Sequence, residues 1–213
     1  MLNNSDISII GITGKALSGK DTIASLIIDR CATQQYENDP YSAHAFRFAF
    51  ADKLKQETAD ALGVPISYCY EQPFKEAIRP LLQVWGDMRK TELLNGHKLY
   101  WCVPLNEKVL EAVAIAESSG APSLVIVTDI RYDFEADYVR KLVKDSAILE
   151  IQGTNTDTTA HNAHSSEAGV SPHLIDYTFY NDKALGIEHA KSCISEILLT
   201  LSMSVEQRET KTS

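Results

Sequence analysis

Cysteine is scarce and scattered: Cys31, Cys69, Cys102 and Cys193 stand far apart, and no two have the spacing of a zinc or redox pair. That pattern predicts buried thiols in a reducing compartment. Positive charge is also short, with 20 Lys and Arg against 29 Asp and Glu, a net charge of −9 and an isoelectric point near 5.1. The balance argues against a protein that holds nucleic acid through its backbone. It leaves room for a nucleotide, because a few lysines and backbone donors act at short range. No stretch nears the roughly 20 apolar residues of a membrane span. Residues 1–6 show no basic segment leading into a long apolar run. Internal repeats and low-complexity tracts are missing as well. The expectation is a soluble cytoplasmic protein without stable nucleic-acid or membrane partners. With 213 residues, 44% of them hydrophobic, it can bury a substantial core.

Five apolar stretches read as buried strands: residues 7–12, 45–50, 124–128, 147–151 and 177–180. Helical patterns separate or follow them at 20–31, 52–62, 74–91, 105–118, 134–143 and 183–201. Strands alternating with helices predict an α/β fold, a mostly parallel five-stranded sheet covered on both faces. Ligands of such sheets bind beyond the carboxyl ends of the strands. Two regions break the alternation. Residues 63–120 are helix-rich without a clear strand, which predicts a lobe inserted into a core of about 1–62 and 121–201. Residues 153–172 are polar, without periodicity and without Arg or Lys, and read as a loop closing over a site. The charged stretch 204–213 reads as a frayed tail.

The stretch that carries most chemistry is Gly14-Lys15-Ala16-Leu17-Ser18-Gly19-Lys20-Asp21-Thr22, directly after the first apolar run. Gly, four residues, Gly and Lys is the spacing of a phosphate-binding loop. Such a loop offers unpaired backbone N–H groups and the partial positive charge of a helix N-terminus. Lys20 adds a full charge able to reach β and γ phosphates. Asp21 stands where a metal-binding hydroxyl is usual, with Thr22 one residue later.

Further along, Leu124-Val125-Ile126-Val127-Thr128-Asp129 ends a buried strand in a carboxylate. Asp129 is suited to organising magnesium beside a phosphate loop, and equally to capping the following helix. Arg131 and Glu135, four apart, form either a surface ion pair or a phosphate contact with its orienting partner. Within the inserted region, Arg79 can pair with a phosphate, Gln83 can read a base edge and Trp85 can stack on a ring. Leu81 and Leu82 read as core. Lys53 opens a helix after the second strand and can guide an anionic substrate. In the polar loop, His161 and His164 lack the partners of a zinc site. Arg131, Lys15 and Lys20 are left to supply most of the positive charge.

Together these pieces resemble the bacteriophage-type deoxynucleoside monophosphate kinases. The resemblance runs through Ser18-Gly19-Lys20-Asp21-Thr22, Leu82-Gln83-Val84-Trp85-Gly86, Thr128-Asp129-Ile130-Arg131 with Glu135, His164-Ser165-Ser166-Glu167 and Tyr180-Asn181-Asp182. Tyr132-Asp133-Phe134 stands where the family would have a Pro-Asn pairing. The resemblance implies a P-loop kinase fold with a monophosphate-binding lobe and a lid. It implies transfer of the γ-phosphate of ATP to a deoxynucleoside monophosphate, with Mg2+, in a host cytoplasm if the chain is phage-encoded. Its implied ATP contacts are Gly14, Lys15, Ser18, Gly19, Lys20, Asp21 and Thr22, with Asn181 and Asp182 near the adenine. To the acceptor candidates read from the residues themselves, Lys53, Arg79, Gln83 and Trp85, the resemblance adds Arg131 and Glu135. Lys20, Asp129, Arg131 and Glu135 would be catalytic, and Asp21 and Asp129 would face the metal. A homodimer is open, with no interface visible in the pattern. The alternatives are a kinase of the same fold for dephospho-coenzyme A or a sugar acid, an ATP-binding regulatory protein without turnover, and a homologue silenced by Asp21.

Overall fold

The computed structural model describes residues 7–32, 42–91, 98–153 and 169–212, with side chains described up to residue 202. The expected lid, with His161, His164 and Glu167, falls almost entirely outside the described residues. Five strands form one sheet in the order β2-β3-β1-β4-β5: β1 Ile7–Thr13, β2 His44–Phe48, β3 Ser123–Val127, β4 Ser146–Gly153 and β5 Tyr177–Asn181. Every pairing is parallel, so all five carboxyl ends lie along one edge. The helices are α1 Lys20–Ala32, α2 Phe50–Leu62, α3 Phe74–Arg89, α4 Pro104–Ser119, α5 Asp133–Leu142 and α6 Gly186–Thr212.

The apolar runs become strands because successive side chains point to opposite faces of the sheet and both faces are buried, so the run stays apolar throughout. On one face Ile10, Ile12, Leu124, Ile126, Leu149, Ile151 and Phe179 meet Ile23 and Ile27 of α1 and Ile194, Ile197 and Leu201 of α6. α5 packs over β1 and β4 through the other face. There Gly11 of β1 leaves room for the Ile130 and Ile148 side chains, which a Cβ would crowd.

The chain divides into two compact units, Met1–Phe48 with Lys108–Ser213, and Ala49–Glu107. The smaller unit therefore takes in α2, ahead of the boundary expected near residue 63. The reason is packing: Ala59 of α2 shares a small core with Cys69 and Ile78, and Val64, Ile66, Phe74 and Leu82 pack around it. Its far boundary falls inside α4, at residue 107 rather than 120. Strand β2 stops at Phe48, two residues short of expectation, because Ala49 is the extended residue preceding α2 and Phe50 is already helical. The helical backbone of α6 runs to Thr212, through the stretch expected to fray. Leu81 is a further correction. Expected in the core, it lies on the outer side of α3 and is 41% exposed, while Leu82 turns inward. None of the four cysteines is in a disulfide; Cys31, Cys69 and Cys102 are buried, as the sequence predicts, and Cys193 is partly exposed. Among the described residues no helix is long and apolar enough to cross a membrane.

Leu149 is fully buried between α1, α6 and its strand neighbours. Leu149→Ala is expected to cost about 2–5 kcal/mol in urea unfolding, since the sheet relaxes only partly around the lost side chain.

Candidate functional site

The turn leaving β1 is built around two glycines. Gly14 has φ +138°, and a Cβ there would sit 2.3 Å from the backbone oxygen of Ile151, at the end of β4. Gly19 has φ +97°, and its Cβ would sit 2.2 Å from Nδ2 of Asn181, the last residue of β5. Both positions combine a left-handed backbone with contact too close for any side chain. A further close approach, Gly153 against Cα of Ser18, holds the loop to β4. Asn181 Nδ2 donates to the Ser18 carbonyl at 2.9 Å, and Leu17, φ +62°, projects into solvent at the tip.

This loop delivers the chain into α1, whose first residue is Lys20. The Lys20 ammonium donates to the carbonyls of Gly14 and Lys15, both at 2.6 Å, so it spans the mouth of the turn. Ser18 Oγ and Thr13 Oγ1 are buried hydroxyls without a hydrogen-bond partner among the described residues. Lys15 and Thr22 are exposed. The Asp21 carboxylate is 86% exposed, 3.7 Å from the Arg47 guanidinium of β2.

Next along the edge, the chain beyond β3 is pinned on both sides. Thr128 N donates to Phe48 O of β2 at 2.9 Å, and Ile130 N donates to Ile12 O of β1 at 3.0 Å. Asp129 lies between these two bonds, half-buried at the carboxyl edge. It is not the cap of the following helix, because α5 starts at Asp133 with Tyr132 as the preceding extended residue. Glu135 is 5% exposed, which removes it from the surface ion-pair reading. Its Oε2 accepts from the backbone N–H of Arg131 at 2.7 Å and of Tyr132 at 3.2 Å. The carboxylate thus satisfies the open donors at the start of α5 and fixes the backbone that presents Arg131. The departure at Tyr132-Asp133-Phe134 is accommodated, with the two rings stacked 5.3 Å apart.

Asp133 ties the same helix start to the chain entering β5. Its carboxylate accepts from Ser171 N and Ser171 Oγ, both at 2.7 Å. Those bonds, the backbone one foremost, hold its pKa below the usual aspartate value. Asp182 caps the short turn before α6, accepting from Ala184 N at 3.0 Å.

Among the acceptor candidates of the smaller unit, the structure separates what the sequence grouped. Arg79 and Gln83, four apart, share one flank of α3, and Arg79 forms a two-point bond with Glu76 at 2.7 and 2.9 Å. Trp85 points the other way, beside Arg89. Its ring is not a bare stacking surface: Nε1 donates to Glu57 at 3.0 Å, and the Arg89 guanidinium lies 5.3 Å from the ring centre. Tyr100 Oη donates to the other oxygen of Glu57 at 2.6 Å, and Arg89 lies 5.0 Å from its ring. Burial pushes the Glu57 carboxyl up, but Tyr100, Trp85, Arg89 and Lys53 together outweigh it and hold the pKa below the usual glutamate value. Lys53 itself is exposed. Glu57, Arg89 and Tyr100 were not expected from sequence. Arg89 at i+4 from Trp85, and Glu57 at i+4 from Lys53, are the signals that could have found two of them. Among the described residues no group of three or more His, Cys, Asp or Glu side chains is arranged to hold a metal ion.

Comparison with known proteins bears on this arrangement. A family model for deoxynucleotide monophosphate kinase matches residues 51–191, which takes in Asp129 to Glu135 and Asn181 but not the turn after β1. The deoxynucleoside-5'-monophosphate kinase of Escherichia phage T5 is 25% identical over 238 residues, covering 86% of this chain and 92% of that protein. Two solved structures resemble the chain only distantly. One is a sugar kinase from a Janibacter species, with TM-score 0.41 and 14% identity over 92% of this chain and 94% of that one. The other is a gluconokinase from Sinorhizobium meliloti, with TM-score 0.41 and 13% identity over 97% and 98%.

The Asp133–Ser171 pair yields a pH test. A carboxyl whose folded pKa is depressed stabilises above its unfolded pKa and loses that contribution as pH falls through the folded value. Asp133→Asn is expected to melt below the wild type at neutral pH. The gap should close as pH drops below the ordinary aspartate range, read by thermal melts between pH 7 and pH 3.

Proposed function

The chain belongs to the deoxynucleotide monophosphate kinase family and is a nucleotide kinase; we propose that it transfers the γ-phosphate of ATP to a deoxynucleoside monophosphate, giving the diphosphate and ADP with Mg2+. The observation that carries this reading is the turn from Gly14 to Thr22. It opens α1 at the carboxyl edge of the sheet, with Lys20 across its mouth and buried hydroxyls at Thr13 and Ser18. Backbone donors, a helix N-terminus and one ammonium are the chemistry that a polyphosphate needs. Gly14, Lys15, Ser18, Gly19, Lys20 and Thr22 hold the donor phosphates in this reading, and Asp182 lies toward the donor base.

Mg2+ prefers oxygen donors and takes one or two carboxylates together with substrate phosphates. Asp129, with Asp21 at the start of α1, supplies carboxylates of that kind. When bound, the ion would neutralise phosphate charge. Arg131, on the backbone that Glu135 fixes, offers a planar guanidinium to phosphate oxygens. In the smaller unit Lys53, Arg79 and Gln83 are the acceptor contacts. Trp85, bound to Glu57, contributes as a fixed wall of that unit rather than a free stacking ring. An acceptor phosphate oxygen is already ionised near neutral pH, so the reaction needs no strong general base. The work left to the protein is in-line alignment and charge stabilisation in a site closed to water.

The test is an ADP-release assay with ATP, magnesium and a panel of deoxy- and ribonucleoside monophosphates. Turnover of one or more deoxynucleotides is expected. Silence across the panel with ATP binding intact would move the acceptor elsewhere or leave a binding protein. Lys20→Ala and Arg131→Ala are each expected to lower kcat by about 100-fold or more with the melting curve unchanged. A variant that keeps near-normal turnover loses its assigned role. Glu135→Gln keeps an acceptor for the Arg131 and Tyr132 amides but drops the charge. A smaller kcat loss than Arg131→Ala is expected if Glu135 acts through the Arg131 backbone.

A further inference from the structure

The place of Asn181 at the end of the last strand suggests a neighbour of the adenine. Its contacts point elsewhere. We infer that Asn181 is a positioning residue for the phosphate loop and acts on the polyphosphate through the Ser18–Gly19 peptide. This rests on the reading of that loop as the polyphosphate site.

Three observations converge. Asn181 as a residue is 9% exposed at the end of β5, so it is not laid out on the surface for a base. Its amide nitrogen donates to the Ser18 carbonyl at 2.9 Å, a bond between residues 163 apart in the chain. And Gly19, at φ +97°, leaves no room for a Cβ because Nδ2 of Asn181 would lie 2.2 Å from it. Asn181 and Gly19 are therefore a fitted pair.

The consequence follows from peptide geometry. In a planar trans peptide the C=O and N–H point in opposite directions. Holding the Ser18 oxygen toward β5 turns the Gly19 N–H away from β5, which makes it one of the donors a polyphosphate can take. The same bond satisfies a carbonyl that would otherwise carry negative charge toward an anion. Lys20 treats two other carbonyls of the turn in the same way, those of Gly14 and Lys15. The amide of Asn181 differs in being fixed in the sheet, so it can hold its carbonyl while the flexible ammonium reaches a phosphate.

The probe is inorganic tripolyphosphate, which has the phosphates of ATP and no base, with binding measured by calorimetry beside KM values for ATP and GTP. Asn181→Ala is expected to weaken tripolyphosphate, ATP and GTP by one common factor of about tenfold. Asn181→Asp is nearly the same size but presents an ionised oxygen to the Ser18 carbonyl. It should bind tripolyphosphate more weakly than the alanine variant at pH 8. Relative to wild type it should recover as pH falls, when the protonated carboxyl regains a donor. Gly19→Ala should cost less when added to Asn181→Ala than when added to the wild type, because the amide it collides with is gone.

A loss confined to ATP, with tripolyphosphate unchanged, would overturn the inference in favour of a base contact. A lower melting temperature with tripolyphosphate affinity unchanged would reduce Asn181 to a structural residue. Wild-type protein that binds no tripolyphosphate would overturn both this inference and the loop reading. The calorimetric arm needs no acceptor, so it stands whether or not the deoxynucleotide assignment holds.

Discussion

A parallel sheet brings every strand's carboxyl end to the same edge, and in this protein one loop must thread between two of those ends. The turn after β1 touches the backbone of Ile151 at Gly14 and the side chain of Asn181 at Gly19, at separations that no Cβ would tolerate. That double contact sets where Lys20 begins α1 and which way the intervening peptides face. The remaining candidate chemistry is arranged around it. Asp129 reaches the edge only because Ile130 is bonded to Ile12, one residue before the end of β1.

Glu135 shows how a second element is held to the same edge. A buried carboxylate is costly unless its oxygens are bonded. Two backbone N–H groups at the start of α5 meet that need, and the helix N-terminus adds favourable partial charge. Arg131 thereby stands on a backbone that cannot swing. Asp133, two residues before Glu135, fastens the helix start to Ser171. Positive charge for a phosphate is scarce in this acidic chain, and of the cations at this edge Lys20 is held through its ammonium and Arg131 through its backbone.

The smaller unit meets the same constraint in another form. Glu57 gathers a tryptophan N–H, a tyrosine hydroxyl and an arginine around one carboxylate. Two rings flank that arginine, and the group is rigid because each member is held by more than one neighbour. Arg79 and Gln83 belong to a different flank of α3. A rotation of about 200° separates positions 83 and 85 on any helix at about 100° per residue, so a base-reading Gln83 and a stacking Trp85 could not share one surface. Proximity in the chain groups them. Helical periodicity, applied residue by residue, separates them.

The local units of this protein follow from its residues in order. Five apolar runs, interspersed with helical patterns except between the fourth and the fifth, specify an α/β fold, because strands buried on both faces need unbroken apolar runs and parallel neighbours need crossover connections. Gly14, Gly19 and Lys20 announce a phosphate loop because only a glycine-rich turn leaves its amides open. Arg131 and Glu135 were legible as a pair, though not the atoms through which they act. The partners came from long-range packing. Strand order β2-β3-β1-β4-β5 puts β4 and β5 on one side of β1, and so delivers Ile151 and Asn181 to a loop more than a hundred residues earlier. Packing likewise joined α2 to the smaller unit and brought Tyr100 to Glu57. Local pattern reports which face of an element is apolar. Which other element covers that face, and which polar group arrives with it, depends on the path of the whole chain.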